Sequence, residues 1–345
     1  MVHRHLRPEQ RTGFHPESLS KMTLKETALK KLKAFSLAVL GLGCFIFVEY
    51  TVLVFFVFVK IDYRIYEGTF NLIVAILTIL MMLFFNKLFS SKDDPLFRTD
   101  KLRADQTVAL IVIGLGMLGL VTVYIIVADK IAEYIESLKK AVEEYRESVD
   151  RYADTPQIIV PVWDSVLYVI TLCFVVPFSE EMVFRGAVFG HLRKGFGPWV
   201  SVILSALIFG FMHGRGVHIG YAVACGLIIT ACYYITGSLA APVILHMVFN
   251  TLGSGVASFM GIEYFGITDD IRLPVMQVIN IASCILMPVA AISYAYLVAV
   301  KRMKEADARN SIITVKARED IPAETDEPIA EDISLSDGSG IGAQQ

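Results

Sequence analysis

The sequence predicts an all-α fold, a polytopic membrane helix bundle of about eight transmembrane helices. Hydrophobic residues make up 55% of the 345 positions and charged residues only 19%, whereas average soluble domains carry nearer ~25% charge. The apolar residues fall in separate runs, each near the ~20 residues that cross a ~30 Å hydrocarbon core. The charged residues collect between these runs and at the chain ends, which is typical of a bundle of membrane spans.

Eight apolar runs define the predicted spans. We place them at about 34–59, 69–90, 107–128, 158–190, 198–215, 217–236, 239–260 and 274–300. The fourth run is long for one crossing. We therefore expect Pro177 to kink it, because proline removes a helical hydrogen bond, or its first part to lie tilted at the interface.

The polar ends divide the chain into three regions. Residues 1–33 form a basic cytoplasmic N-terminal segment, residues 34–300 the transmembrane bundle, and residues 301–345 an acidic, disordered cytoplasmic tail. Within the tail, residues 305–345 hold ten acids against three bases and show no apolar periodicity. The positive-inside rule puts both termini in the cytoplasm, and we expect an integral protein of a prokaryotic plasma membrane.

One segment between spans is rich in charge but periodic. Its apolar side chains recur at helical spacing within residues 129–153. They are Ile131, Tyr134, Ile135, Leu138, Val142 and Tyr145. This pattern predicts an amphipathic surface helix on the outer side of the membrane.

Charged side chains inside the apolar runs are the first candidates for function, since one at mid-membrane costs ~2.5–3.5 kcal/mol on insertion scales. Glu181 and Arg185 are four residues apart on one helical face, which predicts a structural ion pair. Glu180 lies ~100° around the helix without a local partner, and such a carboxylate suits a general base. Glu49, in the first span, either pairs with a neighbouring helix or lines a cavity.

Polar side chains in three later runs reach a similar depth. At 1.5 Å per residue, Glu180 and His213 lie ~20 Å and ~22 Å along their helices from the cytoplasmic end. His246 and Asn250, four residues apart on one face, lie ~12–18 Å into the seventh span. Each group alone is also typical of hydrogen bonding between membrane helices. Their shared depth favours one site.

These side chains support two chemistries, and the residues alone leave both open. In the first, Glu180 with His213 activates a water molecule. His246 and Asn250 donate hydrogen bonds to a developing oxyanion. Together these groups can hydrolyse an amide. Alternatively, Glu180, His213 and His246 form a His₂Glu zinc site with an open water position. The HExxH and GxSxG motifs of other hydrolases are absent from the sequence.

Three motifs follow one another on successive apolar segments within residues 155–260. They are EExxxR (Glu180, Glu181, Arg185), FxxxH (Phe209, His213) and HxxxN (His246, Asn250). In this order they resemble the CAAX protease and bacteriocin-processing (CPBP) family, which includes the type II CAAX prenyl endopeptidases.

The resemblance implies an intramembrane endopeptidase in which Glu180 and His213 activate the attacking water. His246 and Asn250 would form the oxyanion hole, and Glu181 with Arg185 would position the first glutamate. Phe209 would support the site. The family has been described both as metal-dependent and as glutamate-dependent; we favour a mechanism without a cofactor and keep zinc as the alternative.

The leading hypothesis is cleavage of a membrane-bound or lipidated protein or peptide, including a prenylated CAAX-type substrate. The expected partners are membrane lipids and this substrate, with no nucleic acid. Two other functions compete: a non-catalytic scaffold or immunity protein of the same fold, and a small proton-coupled transporter. The lack of an inverted repeat in hydropathy disfavours the transporter.

Overall fold

The computed structural model describes residues 23–150, 160–214 and 216–319. In these ranges the chain is helical and contains no β-strand, so the predicted all-α fold is confirmed. The helices, in chain order, are α1 (Leu24–Phe58), α2 (Glu67–Phe89), α3 (Ala104–Ala132), α4 (Glu136–Asp150), α5 (Val162–Gly195), α6 (Pro198–Met212), α7 (Gly216–Thr236), α8 (Ala240–Met260) and α9 (Asp269–Glu319).

Seven of the described helices, namely α1, α2, α3, α5, α7, α8 and α9, are long and apolar enough to cross a membrane. Helix α6 is also apolar, but its 15 residues rise only ~22 Å, less than the ~30 Å of a hydrocarbon core. The polytopic bundle is therefore confirmed, with a shorter helix at the position of the fifth predicted span.

Two helix boundaries differ from the prediction. Helix α1 begins at Leu24, inside the basic N-terminal segment, because the side chains of Thr23 and Glu26 each accept a hydrogen bond from the other residue's backbone N–H and cap the helix. The amphipathic helix begins at Glu136 rather than at residue 129. The residues up to Ala132 complete the preceding span, and a turn separates the two helices.

The C-terminal boundary also needs correction. The tail was expected to be disordered from residue 301, but α9 continues to Glu319, so residues 301–319 are helical. The remainder of the predicted tail lies outside the described residues. Met1–Met303 and Lys304–Gln345 are separate compact units, and the candidate site lies in the first.

Helix α1 packs antiparallel against α5. Its buried residues recur every three or four positions, as expected for one helical face; they are Ala34, Ala38, Gly41, Val48, Val52 and Phe56. The contacts that set the register are Ala34 with Gly195, Gly41 with Ala187, and Phe45 with Phe184. A Cβ on Gly41 would lie 2.8 Å from the Cβ of Ala187, so glycine allows the close approach.

The loop between α2 and α3 packs against the other face of α5. A Cβ on Gly186 would lie 2.1 Å from the ring of Phe97, and one on Gly190 would lie 3.1 Å from Leu96. The Tyr233 hydroxyl of α7 donates a hydrogen bond to the Leu96 carbonyl at 3.0 Å. The loop is therefore fixed between α5 and α7. Its contact at Gly186 lies one residue after the buried Arg185 of the first motif.

Helix α5 changes its winding along its length. Thr171–Val175 and Met182–Phe189 are π-helical, with the α-helical segment Val176–Glu181 between them. Pro177 lies at the start of that segment and has no N–H to donate to the preceding turn. The disturbance expected at this proline is present as a π-helical stretch, a feature that is frequent at functional sites.

Asp164 joins the beginning of α5 to the beginning of α2. Its buried carboxylate accepts hydrogen bonds from the N–H groups of Gly68 and Thr69 at 2.8 and 2.9 Å, and from the Thr69 hydroxyl at 2.5 Å. The first N–H groups of a helix have no partner within it, and a negative charge there is favourable. Asp164 therefore caps α2 from a different helix.

We expect Asp164→Ala to lower the free energy of unfolding by about 2–4 kcal/mol, since hydrogen bonds to a charged group each contribute ~1.5–3 kcal/mol and the effects of neighbouring bonds do not add fully. Thermal unfolding in detergent micelles measures the change. The control is Glu133→Ala, which removes an exposed ion pair with Lys130 and should change stability by less than ~1 kcal/mol. Equal losses in the two variants would contradict the capping role.

Candidate active site

Glu181 and Arg185 form a fully buried ion pair in α5. The guanidinium Nη1 of Arg185 donates to Oε1 of Glu181 at 3.0 Å, and both side chains are 0% exposed. The guanidinium carbon also lies 4.4 Å from the ring centroid of Phe209 in α6, a favourable position for a cation over an aromatic face. The spacing of four residues predicted the ion pair, but not the contact with Phe209.

Glu181 has a second partner that the sequence did not indicate. Its Oε1 lies 2.7 Å from Nδ1 of His246 in α8, so one carboxylate oxygen accepts hydrogen bonds from both Arg185 and His246. An ionised carboxylate only accepts, which places a proton on Nδ1. The pair therefore fixes the orientation of the His246 ring.

The second ring nitrogen of His246 faces Glu180. Nε2 lies 3.7 Å from Oε2 of Glu180, beyond hydrogen-bond distance but close enough for a charge interaction. The Glu180 side chain is 19% exposed, whereas that of Glu181 is 0% exposed. The two adjacent glutamates thus have different surroundings. Glu181 is enclosed and hydrogen-bonded, whereas Glu180 is accessible beside His246.

His213 immediately follows α6. Its Nδ1 lies 2.8 Å from the carbonyl oxygen of Phe209, which can only accept, so Nδ1 carries the proton and Nε2 has a free lone pair. The Phe209 ring packs against the rings of both His213 and His246, with centroids 4.2 and 5.9 Å apart. Phe209 therefore joins the two predicted catalytic histidines.

Asn250 is connected to α5 through the π-helical stretch Thr171–Val175. Its amide Nδ2 donates to the carbonyl oxygen of Leu172 at 3.0 Å. A second π-helical stretch, Thr251–Gly255, begins at the next residue. One amide hydrogen of Asn250 is thus engaged in holding α8 to α5, and the other remains for a further acceptor.

Glu49 of α1 lies on the rim of this group. Continuing the register of α1 on α5 by one turn beyond Phe45 and Phe184 places Glu49 opposite Glu180, and the two carboxyl groups interact electrostatically. The Glu49 residue is exposed. It therefore lies beside the candidate base rather than in a separate ion pair between helices; its contact with a substrate stays a prediction.

The zinc alternative requires three ligands around one point. Within the described ranges, no group of three or more His, Cys, Asp or Glu side chains is arranged to hold a metal ion. His246 approaches both glutamates, and His213 contacts Phe209 and His218 instead. The trio Glu180, His213 and His246 does not fit a zinc site in this arrangement.

The two glutamates should differ in their effect on stability. We expect Glu181→Gln to lower the free energy of unfolding by about 3–5 kcal/mol, because it leaves the buried charge of Arg185 without its partner. Glu180→Gln should change it by less than about 1 kcal/mol, since Glu180 is partly exposed and makes no short contact. Unfolding in detergent micelles compares the pair. A larger loss for Glu180→Gln would contradict the assignment.

Comparison with known proteins supports a family assignment for this region. Residues 162–252 match the family model described as "Type II CAAX prenyl endopeptidase Rce1-like". This range contains every residue of the three motifs. No solved structure matches the chain.

Two curated bacterial proteins are similar to part of the chain. The "Putative membrane peptidase YdiL" of Bacillus subtilis (strain 168) is 27% identical over 135 residues, which are 39% of this chain and 55% of that protein. The "Uncharacterized 24.3 kDa protein" of Escherichia coli is 28% identical over 95 residues, 26% of this chain and 44% of that protein. The chain thus spans about half the length of the curated relatives it matches. The resemblance predicted from the motifs is confirmed, since residues 162–252 match an Rce1-like family model and part of the chain is similar to a putative membrane peptidase.

Proposed function

We propose that this protein is an intramembrane endopeptidase that hydrolyses a peptide bond of a membrane-associated protein or peptide. The observation that carries the proposal is the position of His246, 2.7 Å from Glu181 and 3.7 Å from Glu180. Glu181 holds the histidine, and Glu180 remains accessible beside it. The similarity of residues 162–252 to a prenyl endopeptidase family supports the same reaction class.

In the first step of this proposal, Glu180 is the general base. Its carboxylate accepts a proton from water, and the oxygen of that water attacks the carbonyl carbon of the scissile bond. The accessible lone pair on Nε2 of His213 holds the water in position. Proton transfer to a positioned carboxylate typically accelerates a reaction ~10²–10⁴-fold.

The negative charge on the former carbonyl oxygen then needs hydrogen-bond donors. Asn250 has one amide hydrogen not engaged by Leu172. His246 Nδ1 is bonded to Glu181, so only its Nε2 faces the site, and Nε2 donates to this oxygen when both ring nitrogens carry protons. The C–N bond breaks as Glu180 returns its proton to the leaving amine, which yields a carboxylate product and an amine product.

The substrate class follows from the location of the site. Glu180 lies in a helix that is long and apolar enough to cross a membrane, and a substrate that approaches through the membrane suits this position. A peptide with an attached lipid or an apolar segment fits this route. We therefore propose a membrane-associated substrate and take a prenylated C-terminal CAAX peptide as the first one to test.

Cleavage of a quenched fluorescent peptide by the purified protein tests this function. We expect hydrolysis of a prenylated CAAX peptide, a loss of about 10²-fold or more in kcat/KM for Glu180→Gln, and losses of about 10²–10³-fold for His246→Ala and Asn250→Ala. Glu133→Gln, on the exposed turn before α4, is the matched control and should cleave normally. Equal activity of wild type and Glu180→Gln would refute the general-base role.

Additional reactions in the same assay separate the competing functions. Activity that a chelator leaves unchanged fits the metal-free mechanism, whereas a loss that zinc restores would establish the zinc alternative. An unprenylated copy of the peptide shows whether the lipid is required. A protein that cleaves none of these peptides, nor an apolar membrane-spanning peptide, would fail as an endopeptidase and leave the scaffold and transporter hypotheses.

We also propose that both termini lie in the cytoplasm of a prokaryotic cell, because the basic residues flank those ends. This orientation requires the short helix α6 to serve as an eighth crossing beside the seven longer helices. A fluorescent protein that folds only in the cytoplasm should fluoresce when fused to the C-terminus. Alkaline phosphatase, active only outside, should be active when inserted in the turn at residues 133–135, between α3 and α4. The reverse pattern would show the opposite orientation.

A further inference from the structure

A cluster of aromatic rings outside the three motifs covers His213. The ring of His218, in the first turn of α7, lies 5.3 Å from that of His213 and meets it at 65°. The His213 ring also packs on Phe209, with the ring centroids 4.2 Å apart. His213 is thus held between a motif residue and a residue that no motif includes.

The backbone at His213 explains why it needs this second support. Helix α6 ends at Met212, and the chain turns through Gly214 and Gly216, whose φ angles of +99° and +51° are left-handed and favour glycine. Within its own helix the His213 ring is supported only by the preceding turn, through Phe209. The contact with His218 adds support from a second helix.

His218 is itself fixed by neighbouring tyrosines. The ring of Tyr221 stacks on it with centroids 4.6 Å apart and an interplanar angle of 20°. The ring of Tyr145, from α4, lies 6.4 Å from His218 and 6.1 Å from Tyr221. Through these rings the amphipathic helix α4 contacts the support of His213.

Helix α4 is held firmly enough to serve this purpose. Its apolar face packs on α3 and on the start of α7, where Val142 and Val217 are buried with Ala128 and Ala132. A salt bridge of 2.9 Å between Arg146 and Asp129 joins α4 to α3. The apolar face of this amphipathic helix therefore packs on the protein.

We propose that His218 is a positioning residue for His213, and that α4 fixes His218 through Tyr145 and Tyr221. The effect of His218 on the orientation of the His213 ring does not depend on what reaction the protein catalyses. The catalytic consequence rests on the proposed endopeptidase function, in which His213 holds the attacking water. Displacing a catalytic group by about 1 Å can reduce a rate by ~10²-fold, so a loss of support should reduce kcat more than it changes KM.

The experiment uses the full chain in detergent micelles and the variants His218→Ala, His218→Phe and Tyr145→Ala. The control is Tyr134→Ala, which removes an aromatic ring that is 85% exposed, two residues before α4 begins. Two readouts are recorded for each: peptide cleavage, and the NMR signal of the His213 ring in protein labelled with ¹³C-histidine. The spectrum of His213→Gln identifies that signal.

We expect His218→Ala to reduce kcat by about ten- to a hundredfold with KM within about twofold, and to shift or broaden the His213 signal. His218→Phe retains a ring at the contact and should restore most of kcat and a single sharp His213 signal. Tyr145→Ala should change both readouts in the same direction as His218→Ala, but less. Tyr134→Ala should change neither.

The two readouts distinguish the failure of this proposal from that of the proposed function. An unchanged His213 signal together with kcat within twofold of wild type in His218→Ala would overturn the positioning role. If His218→Ala does not fold, Tyr145→Ala decides. An unchanged His213 signal with kcat within twofold of wild type in that variant overturns the positioning role, and a shifted His213 signal supports it. If His213→Gln cleaves as well as wild type, the proposed mechanism fails, while the NMR signal still decides whether His218 positions the ring.

Discussion

The buried carboxylate of Glu181 is the interaction on which the rest of the site depends. A single oxygen accepts hydrogen bonds from Arg185, one turn along its own helix, and from His246 on another span. Burying two opposite charges is unfavourable unless their geometry and hydrogen bonds compensate for lost solvation. The contact of Glu181 on α5 with His246 on α8 therefore fixes the distance between these helices. It also determines how close His246 lies to Glu180.

The Phe209 ring connects this ion pair to a third helix. It packs on the Arg185 guanidinium and on the rings of both His213 and His246. One apolar side chain thereby excludes water from the charge pair and sets the relative positions of two histidines. The short helix α6 contributes to the site because its end packs on this network and on the His218 ring of α7.

Changes of winding place the remaining polar groups. Leu172, whose carbonyl oxygen accepts from Asn250, belongs to a π-helical stretch of α5, and a second π-helical stretch follows Asn250 in α8. Widened turns of this kind alter the direction of the side chains that follow. Depth counted at 1.5 Å per residue could therefore not supply the hydrogen-bond partner of Asn250.

The sequence by itself determined the helical class, most of the spans, the three motifs and the Glu181–Arg185 ion pair, because apolar periodicity and spacing along one helix are local properties. The roles of Glu180, His213, His246 and Asn250 stay predictions. Only the tertiary structure decided that Glu181 also binds His246, that Glu49 lies near Glu180, and that the apolar face of α4 packs on α3 and α7. Each of these contacts joins residues far apart in the chain, and helix ends, π-helical turns and packing angles place them together in ways that residue spacing does not encode.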